Sequence, residues 1–302
     1  MTAKAHLAVV STPIGNVEDL SHRAVDVLSV ADLIFCEDTR HSGMLLSRVG
    51  VEIKHLVSLN AHNEAARITT AVDALAQGKT IALVSDAGTP LVSDPGAHLV
   101  DAVIDSGFPV IPIPGPSAAL AALVVSGFDT SRFSFFGFMP KSGAARKEFL
   151  GAIAASTYPS IVFESPKRLA VTLTDLVDVA GPERRVVVAR ELTKMFEETW
   201  RGPLQEALER ARTAEPVGEH VLVVEGRTAR IGIDETTVRA ALSALVDEGL
   251  TLADAARAVE VLLGARHRLV YEQRLALGEK AGSGGREVRN ATRKANRGRP
   301  VR

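Results

Sequence analysis

The sequence predicts an α/β protein, and three observations carry that reading. Through the first 127 residues, short apolar runs alternate with segments of helical spacing. That alternation is the pattern of strands joined by crossover helices into a parallel or mostly parallel sheet. The apolar runs end in loops rich in Gly, Pro, Ser, Asp and Asn, residues that punctuate strand ends. The texture then changes twice, at a Phe-rich stretch after residue 127 and again after Arg230. The expected organisation is an N-terminal α/β domain over 1–127 and a second α/β domain over 128–230. A helical, helix-turn-helix-like unit follows over 231–280, then a flexible basic tail over 281–302.

Taken in order, His6–Ser11 reads as a first strand, closed by the turn Thr12-Pro13-Ile14-Gly15-Asn16. Glu18–Val30 has helical spacing through Leu20, Ala24, Val27 and Leu28. Ala31–Cys36 is a second buried strand, ending in the loop Glu37–His41, with a short helix over Met44–Val49. Val51–Leu59 is extended and leads to the loop Asn60–Glu64 and a helix from Glu64 to Gln77. Thr80–Val84 is the central strand, followed by the broad loop Ser85–Gly96. There Asp94 reads as an N-cap and Pro95 as the first helical residue of Ala97–Ser106. Pro109–Ile113 is the next strand, and Pro114-Gly115-Pro116-Ser117 leads into a small-residue helix, Ala118–Ser126. Phe128–Lys141 reads as a linker between domains. The second half shows three clear strands, Ser160–Glu164, Arg185–Arg190 and His220–Glu225. Helices are expected at Ala144–Ala155, Lys167–Val179 and Leu204–Ala214, then at Glu235–Glu248, Leu252–Leu263 and Arg268–Leu277. Ala281–Gly285 reads as a flexible linker.

Composition narrows the class. At 302 residues with 46% hydrophobic and 24% charged residues, the chain is long enough to bury a sizeable core. No apolar run reaches the length of a membrane span. Met1–His6 leads straight into a strand, so no signal peptide is expected. The single cysteine, Cys36, forms no intrachain disulfide and reads as a buried thiol. The cytoplasm is the expected compartment. The net charge of −1 hides an asymmetry: residues 286–302 carry seven positive charges against one negative, a net of +6, leaving −7 on the rest. Such a tail fits contact with a polyanion. It also fits a disordered solubilising end.

Several stock sites are excluded. Gly78-Lys79-Thr80 echoes a P-loop, but Asp73 stands where that loop needs glycine, and a strand follows instead of preceding it. No GxGxxG follows the first strand, and no HExxH, cysteine cluster or GxSxG occurs. No metal site is expected. What remains is a set of strand-end loops that parallel strands gather onto one edge: Thr12–Asn16, Glu37–His41, Asn60–Glu64, Ser85–Gly96 and Pro114–Ser117. Glu164–Arg168 and Arg190–Lys194 add to them from the second half. Their mixture of apolar, carboxylate, amide and cationic groups suits an amphipathic charged ligand together with an anionic partner.

These motifs, in this order, resemble the tetrapyrrole-methylase-fold (class III) methyltransferases. The match runs through Thr12–Asn16, Glu37–His41, Ser85-Asp86-Ala87-Gly88-Thr89-Pro90 and Pro114–Ala118. It continues through Gly137–Pro140, Glu164-Ser165-Pro166 and Arg190–Lys194, and covers nearly all of residues 6–278. Within that family the chain most resembles the bacterial branch that 2′-O-methylates a cytidine of 16S ribosomal RNA at the decoding centre. In the wider family the loop after the central strand usually reads Gly-Asp-Pro; here the triplet is Ser85-Asp86-Ala87. The resemblance implies two α/β domains with an S-adenosyl-L-methionine cleft between them, a homodimer, and 16S rRNA of the small ribosomal subunit as partner. It places the cofactor against Pro13, Asp86, Gly88, Thr89, Ser117, Ala118, Phe163, Leu192 and His220. Methyl transfer to a ribose hydroxyl calls for a base or cation beside the oxygen. The candidates on the same rim are Glu37, Asp38, Arg40, His62, Asn63, Glu164, Glu191 and Lys194. Each could equally serve as a structural ion pair or loop hydrogen bond. Lys194 could act as a base only with a lowered pKa; otherwise it and Arg40 would hold RNA phosphates. Two other functions stay open: a methyltransferase acting on a small tetrapyrrole-like molecule, and an RNA-binding module without catalysis.

Overall fold

In the computed structural model, the structure describes residues 5–52, 55–60, 63–213, 215, 217–227, 235–263, 265 and 267–277. His62, Arg266, the Ala281–Gly285 segment and the basic tail lie outside the described residues. The chain divides into two units, one ending at Arg227 and one starting at Thr228.

The first unit opens with β1 (Leu7–Val10), a 3-10 turn at Val17–Asp19, α1 (His22–Val30), β2 (Leu33–Cys36), α2 (Thr39–Arg48) and β3 (Leu56–Ser58). Next come α3 (Glu64–Ala76), β4 (Ile81–Val84), α4 (Ala97–Asp105), β5 (Val110–Ile113) and α5 (Ala118–Val124). The strands pair in the order β3-β2-β4-β1-β5, and every pairing is parallel. Ile81 to Val84 are all buried because β4 is central and covered on both faces. Leu28, Ala31, Leu46 and Val51 pack with Ala8, Val10, Ala82 and Val84 in one cluster. Leu75, Leu99 and Val103 pack with Leu7, Phe35, Ile81 and Leu83 in another. The alternating parity along β1 and β4 puts these clusters on opposite faces of the sheet.

Five strands, not three, build the second sheet. They are β6 (Ser134–Phe138), β7 (Ser160–Glu164), β8 (Arg185–Arg190), β9 (Glu198–Pro203) and β10 (His220–Val224). Between them lie α6 (Gly143–Ala155), α7 (Leu169–Ala180) and α8 (Leu204–Thr213). The order is β6-β7-β10-β8-β9, with β6 parallel to β7 and the remaining pairs antiparallel. The Phe128–Lys141 stretch therefore contains an edge strand where a linker was expected. Its register shifts between Phe135 and Phe138, which breaks the period-2 pattern that would have revealed it. Strand β9, Glu-Thr-Trp-Arg-Gly-Pro, is the opposite edge and carries no alternation of buried residues.

Helix α5 joins the two sheets. Ala119, Ala122 and Leu123 share a core cluster with Ile161, Val187, Ala189, Val221 and Val223 of the second sheet, and with Ile14 and Leu192. The residues of even number, Val162, Val186, Leu222 and Val224, pack with Leu173, Leu176 and Leu204 in a separate cluster.

Helix starts differ from expectation in three places. Ser21 caps α1 through its hydroxyl, which accepts from the Ala24 N–H, so the expected Glu18–Val30 helix is split from the 3-10 turn before it. Asp38 caps α2, drawing the helix back to Thr39. Asp94 does not cap α4: Gly96 does, at φ 120°, a left-handed conformation that glycine adopts without strain. The buried Glu64 carboxylate completes that helix start, its Oε1 accepting from His98 N–H (3.1 Å) and Leu99 N–H (3.2 Å).

The second unit contains α9 (Glu235–Asp247), α10 (Leu252–Leu263) and α11 over residues 267–277. Val238, Leu242, Ala255, Ala256, Val259 and Val270 form a core of its own.

Candidate active site

Because β1 to β5 are parallel, their carboxyl ends and the loops after them share one edge of the sheet. The loop after β4 is fastened there by hydroxyls. Thr12 and Gly88 exchange both backbone hydrogen bonds, at 2.8 and 3.1 Å. The Thr12 hydroxyl donates to the Ser85 carbonyl, and the Thr89 hydroxyl to the Pro116 carbonyl, both at 3.1 Å. Leu91 and Ser93 both sit at φ 74°, a region that costs a non-glycine residue energy and persists where the surroundings enforce it. A second strained loop, with Glu191 at φ 51° and Thr193 at φ 65°, follows β8. The two halves meet where Gly15 passes Lys194: a Cβ on Gly15 would collide with Lys194 Cγ and stand 2.8 Å from Thr193 Oγ1. The Thr193 hydroxyl accepts from the Asn16 N–H at 3.1 Å.

Between these loops lies a cavity of about 350 Å³. Of the residues expected at a cofactor, it gathers Asp86, Gly88, Thr89, Ser117, Ala118, Phe163 and His220. Glu164 lines it too, and Ile14, Phe138 and Val221 supply apolar walls. Phe138 and Phe163 meet edge to face at 5.5 Å. A neighbouring cavity of about 550 Å³ shares Ile14, Asp86, Ala87 and Glu219 with the first. It is lined also by Pro13, His41, Arg48 and Lys194. Leu192 lines neither; it is buried in the core cluster with Ile14 and Val221, behind the cavity wall.

The carboxylates divide by their surroundings. Arg40 holds the Asp38 carboxyl well below the usual range through a 2.7 Å ion pair, and the Asp38 N–H donates to Asp86 Oδ1 at 3.2 Å. Burial pushes Glu37 up, aided by the charges of Asp86 and Asp38. Asp94, which faces the cavity, is pushed up to about 6, chiefly by burial and then by Glu37, against the Ser85 hydrogen bond. Glu164 is a buried anchor: it accepts from the Ser165 N–H at 2.7 Å and the Thr172 hydroxyl at 2.6 Å, and pairs with Arg168 at 2.6 Å. Asn63 is tied into its own turn, exchanging bonds with Asn60 and donating to the Ser58 carbonyl.

Lys194 bridges Glu191 and Glu219, each at 3.0 Å. Burial alone would lower its pKa, but the two carboxylates together raise it above the ordinary lysine range. It is an ammonium cation at neutral pH. Burial pushes the His220 imidazole below the usual histidine range, against a weaker pull from the Gly218 carbonyl. Its Nδ1 is buried without a hydrogen bond of good geometry.

Asp94, Ile14, Phe138 and Glu219 line the cavity and were not among the expected site residues. The Ser-Asp-Pro-Gly run disguised Asp94 as a helix cap. Gly96, two residues on, held the signal: a glycine at a helix start leaves the nearby carboxylate free for other work. Among the described residues no group of three or more His, Cys, Asp or Glu side chains could hold a metal ion. No helix there is long and apolar enough to cross a membrane.

Comparison with known proteins places this architecture. The family described as Tetrapyrrole (Corrin/Porphyrin) Methylases matches residues 6–208. A Synechocystis protein named ribosomal RNA small subunit methyltransferase I is 42% identical over 273 residues, 90% of this chain and 98% of the relative. The Haemophilus influenzae protein of the same name is 43% identical over 278 residues, 91% of this chain and 98% of its own. The solved structure of cobalt-precorrin-4 methyltransferase shares the fold at 16% identity and a TM-score of 0.58, over 73% of this chain and 94% of that one. The uroporphyrin-III C-methyltransferase of Thermus thermophilus does so at 19% and 0.53, over 72% and 94%. The chain belongs to the tetrapyrrole methylase family, together with the relatives named ribosomal RNA small subunit methyltransferase I.

Proposed function

We propose that this protein transfers a methyl group from S-adenosylmethionine to the ribose 2′-oxygen of a cytidine in the decoding region of 16S ribosomal RNA. The coarser part, methylation of ribosomal RNA, rests on the full-length likeness to the small-subunit methyltransferases. The observation that carries the geometry is the pair of adjoining cavities meeting at Asp86 and Ala87. One is walled by aromatic and apolar groups with carboxylates at its rim; the other is lined by His41, Arg48 and Lys194.

The inner cavity fits the family's methyl donor. Phe138, Phe163, Ile14 and Val221 suit an adenine ring, the hydroxyls of Thr89 and Ser117 suit a ribose, and Asp86 and Asp94 suit a cationic end. When bound, S-adenosylmethionine supplies an electrophilic methyl on a positively charged sulfur. The chain's own contribution is mostly positional, because holding the reacting groups in line removes much of the barrier. The strained loops at Leu91–Ser93, fastened beside the Thr12–Gly88 exchange, and at Glu191–Thr193, held by the Asn16 N–H on the Thr193 hydroxyl, give that positioning its rigidity. Lys194, kept protonated and charge-paired by Glu191 and Glu219, is not a base, and RNA phosphate contact on this wall falls to Arg48 and His41.

The second unit supports an RNA reading. His267 and Tyr271 stack at 6.4 Å on its surface, beside an exposed Arg268 that pairs with Glu272, a surface suited to unpaired bases. A homodimer fits the large apolar side chains left exposed on α5 (Leu120, Val124) and before β9 (Met195, Phe196). Arg201 ties these edges together by donating to the Val125 carbonyl; light scattering should give twice the chain mass, reduced by polar substitutions at Met195 and Phe196.

The test of the activity is mass spectrometry of nucleosides from 16S rRNA made with and without this protein. A 2′-O-methylcytidine that vanishes without it and returns on re-expression is the expected result. Unchanged RNA from cells lacking a protein that still binds S-adenosylmethionine would turn the assignment toward a small-molecule methyl acceptor.

A further inference from the structure

A third cavity, of about 270 Å³, lies on the far side of His220 and Pro166 from the methyl-donor cavity. Strand register explains its polar wall. Across β7, β10, β8 and β9, Glu164, His220, Arg190 and Glu198 stand in one row, so their side chains share a face of the sheet. The ends of the row are satisfied. Glu164 is held by Ser165, Thr172 and Arg168. Glu198 accepts from Arg190 and Arg210, both at 3.1 Å. The middle is not satisfied. Arg190 Nε is buried without a hydrogen-bond partner and His220 Nδ1 without one of good geometry, two of four such side-chain atoms among the described residues. Buried polar atoms left unpaired are uncommon, and each asks for a ligand or a trapped water.

The remaining walls say what kind of ligand. Trp200 presents a ring with the Arg210 guanidinium 5.5 Å from its centroid, and Leu169, Leu173, Val188 and Ala207 close the apolar side. Both arginines already share the Glu198 carboxylate, so the cavity does not call for a buried anion. It calls for a neutral, flat ring that lies on apolar surface and offers acceptor atoms at one edge. About 270 Å³ takes one or two fused rings and little more.

We infer that this cavity is a nucleobase-binding site, with Arg190 Nε donating to a ring carbonyl or imine nitrogen and Trp200 supplying the aromatic wall. The base can come from a free nucleotide or from the RNA itself. The second source rests on the function proposed above, and would seat a base near the reacting nucleotide across His220.

Trp200 is the only tryptophan in the chain, so its emission reports on this cavity alone. The experiment titrates the full-length protein, with the donor cavity saturated by S-adenosylhomocysteine, against each of the four ribonucleoside monophosphates and against a short single-stranded RNA. A saturable change in Trp200 emission is expected. Arg190→Lys keeps the charge facing Glu198 but removes the Nε donor, and should weaken binding by about tenfold, the scale of one lost hydrogen bond. Ala211→Leu, which fills the cavity without touching the polar row, should abolish the response while thermal melting confirms that the variant folds. Saturation by free nucleotides assigns a metabolite source; a response to RNA alone assigns a base of the substrate. No response to either, or equal responses in the parent and both variants, overturns the site. A nucleotide response without any rRNA methylation would remove the proposed function and leave the site standing.

Discussion

Asp86 and Asp94 leave the same loop and do different things. Asp86 stands at the junction of the two larger cavities and is oriented by the Asp38 N–H. Replacing it with alanine removes a carboxylate from the proposed donor cavity, so calorimetry should show S-adenosylmethionine affinity falling by about tenfold or more. Asp94 is the strained partner, with a carboxyl pushed up to about 6 from 3.8. The native state therefore holds this proton more tightly than the unfolded chain does. The ionised form carries no cost below about pH 4, where both states are protonated; the cost grows as pH rises and is complete above about 6. Asp94→Asn removes it. The variant should be more stable than the parent by about 1 kcal/mol near pH 7.5, a value reduced from full linkage because the group is half-exposed. The advantage should vanish near pH 4, as urea melts at the two pH values would show; an equal gain at both would mean that burial of the charge is not its source.

At the scale of elements, the start of α4 shows one helix completed by another. Gly96 sets the direction of the chain but offers no side-chain oxygen, and Glu64 of α3 reaches across to the His98 and Leu99 N–H groups. Glu64→Ala should leave those buried donors unpaired and cost about 2 kcal/mol in denaturant melts, with donor binding retained in the folded fraction. The same scale shows what the sequence could reveal. Strands β1, β2, β4 and β5 were legible because each is a short apolar run bounded by turn residues, a consequence of burial in a parallel sheet. The edges β6 and β9 were not. Phe135 and Phe138 both flank Phe163 across a register shift, so the apolar residues of β6 follow no period. In β9, Thr199, Arg201 and Pro203 face one way and Glu198, Trp200 and Gly202 the other, so both faces mix polar and apolar groups. The loops that line the candidate site were legible, since parallel topology alone gathers strand ends. The status of Lys194 was not: Glu191 lies only three residues before it, but its second carboxylate, Glu219, comes from a segment 25 residues on that only the fold brings alongside.

For the whole molecule, the division of labour follows from where charge and cavity lie. All the cavity-lining residues of the proposed donor site fall before Arg227, in the first unit. The positive charge is concentrated elsewhere, with seven cationic residues in 286–302 against an otherwise acidic chain. An acidic body repels RNA at long range, so productive encounter needs a local cationic segment. Deleting residues 281–302 should therefore separate two functions. Affinity for S-adenosylmethionine should be unchanged, because no residue of the donor cavity is removed. Affinity for single-stranded RNA should fall, and its dependence on salt should flatten, since each phosphate neutralised contributes about 0.7 to the log–log slope. If most of the tail's cations engage phosphates, the slope should drop by roughly 3 to 5, as measured by fluorescence anisotropy from low to physiological salt. An unchanged slope would assign RNA capture to the Arg48 and His41 wall and to the stacked His267–Tyr271 surface, and reduce the tail to a solubilising end.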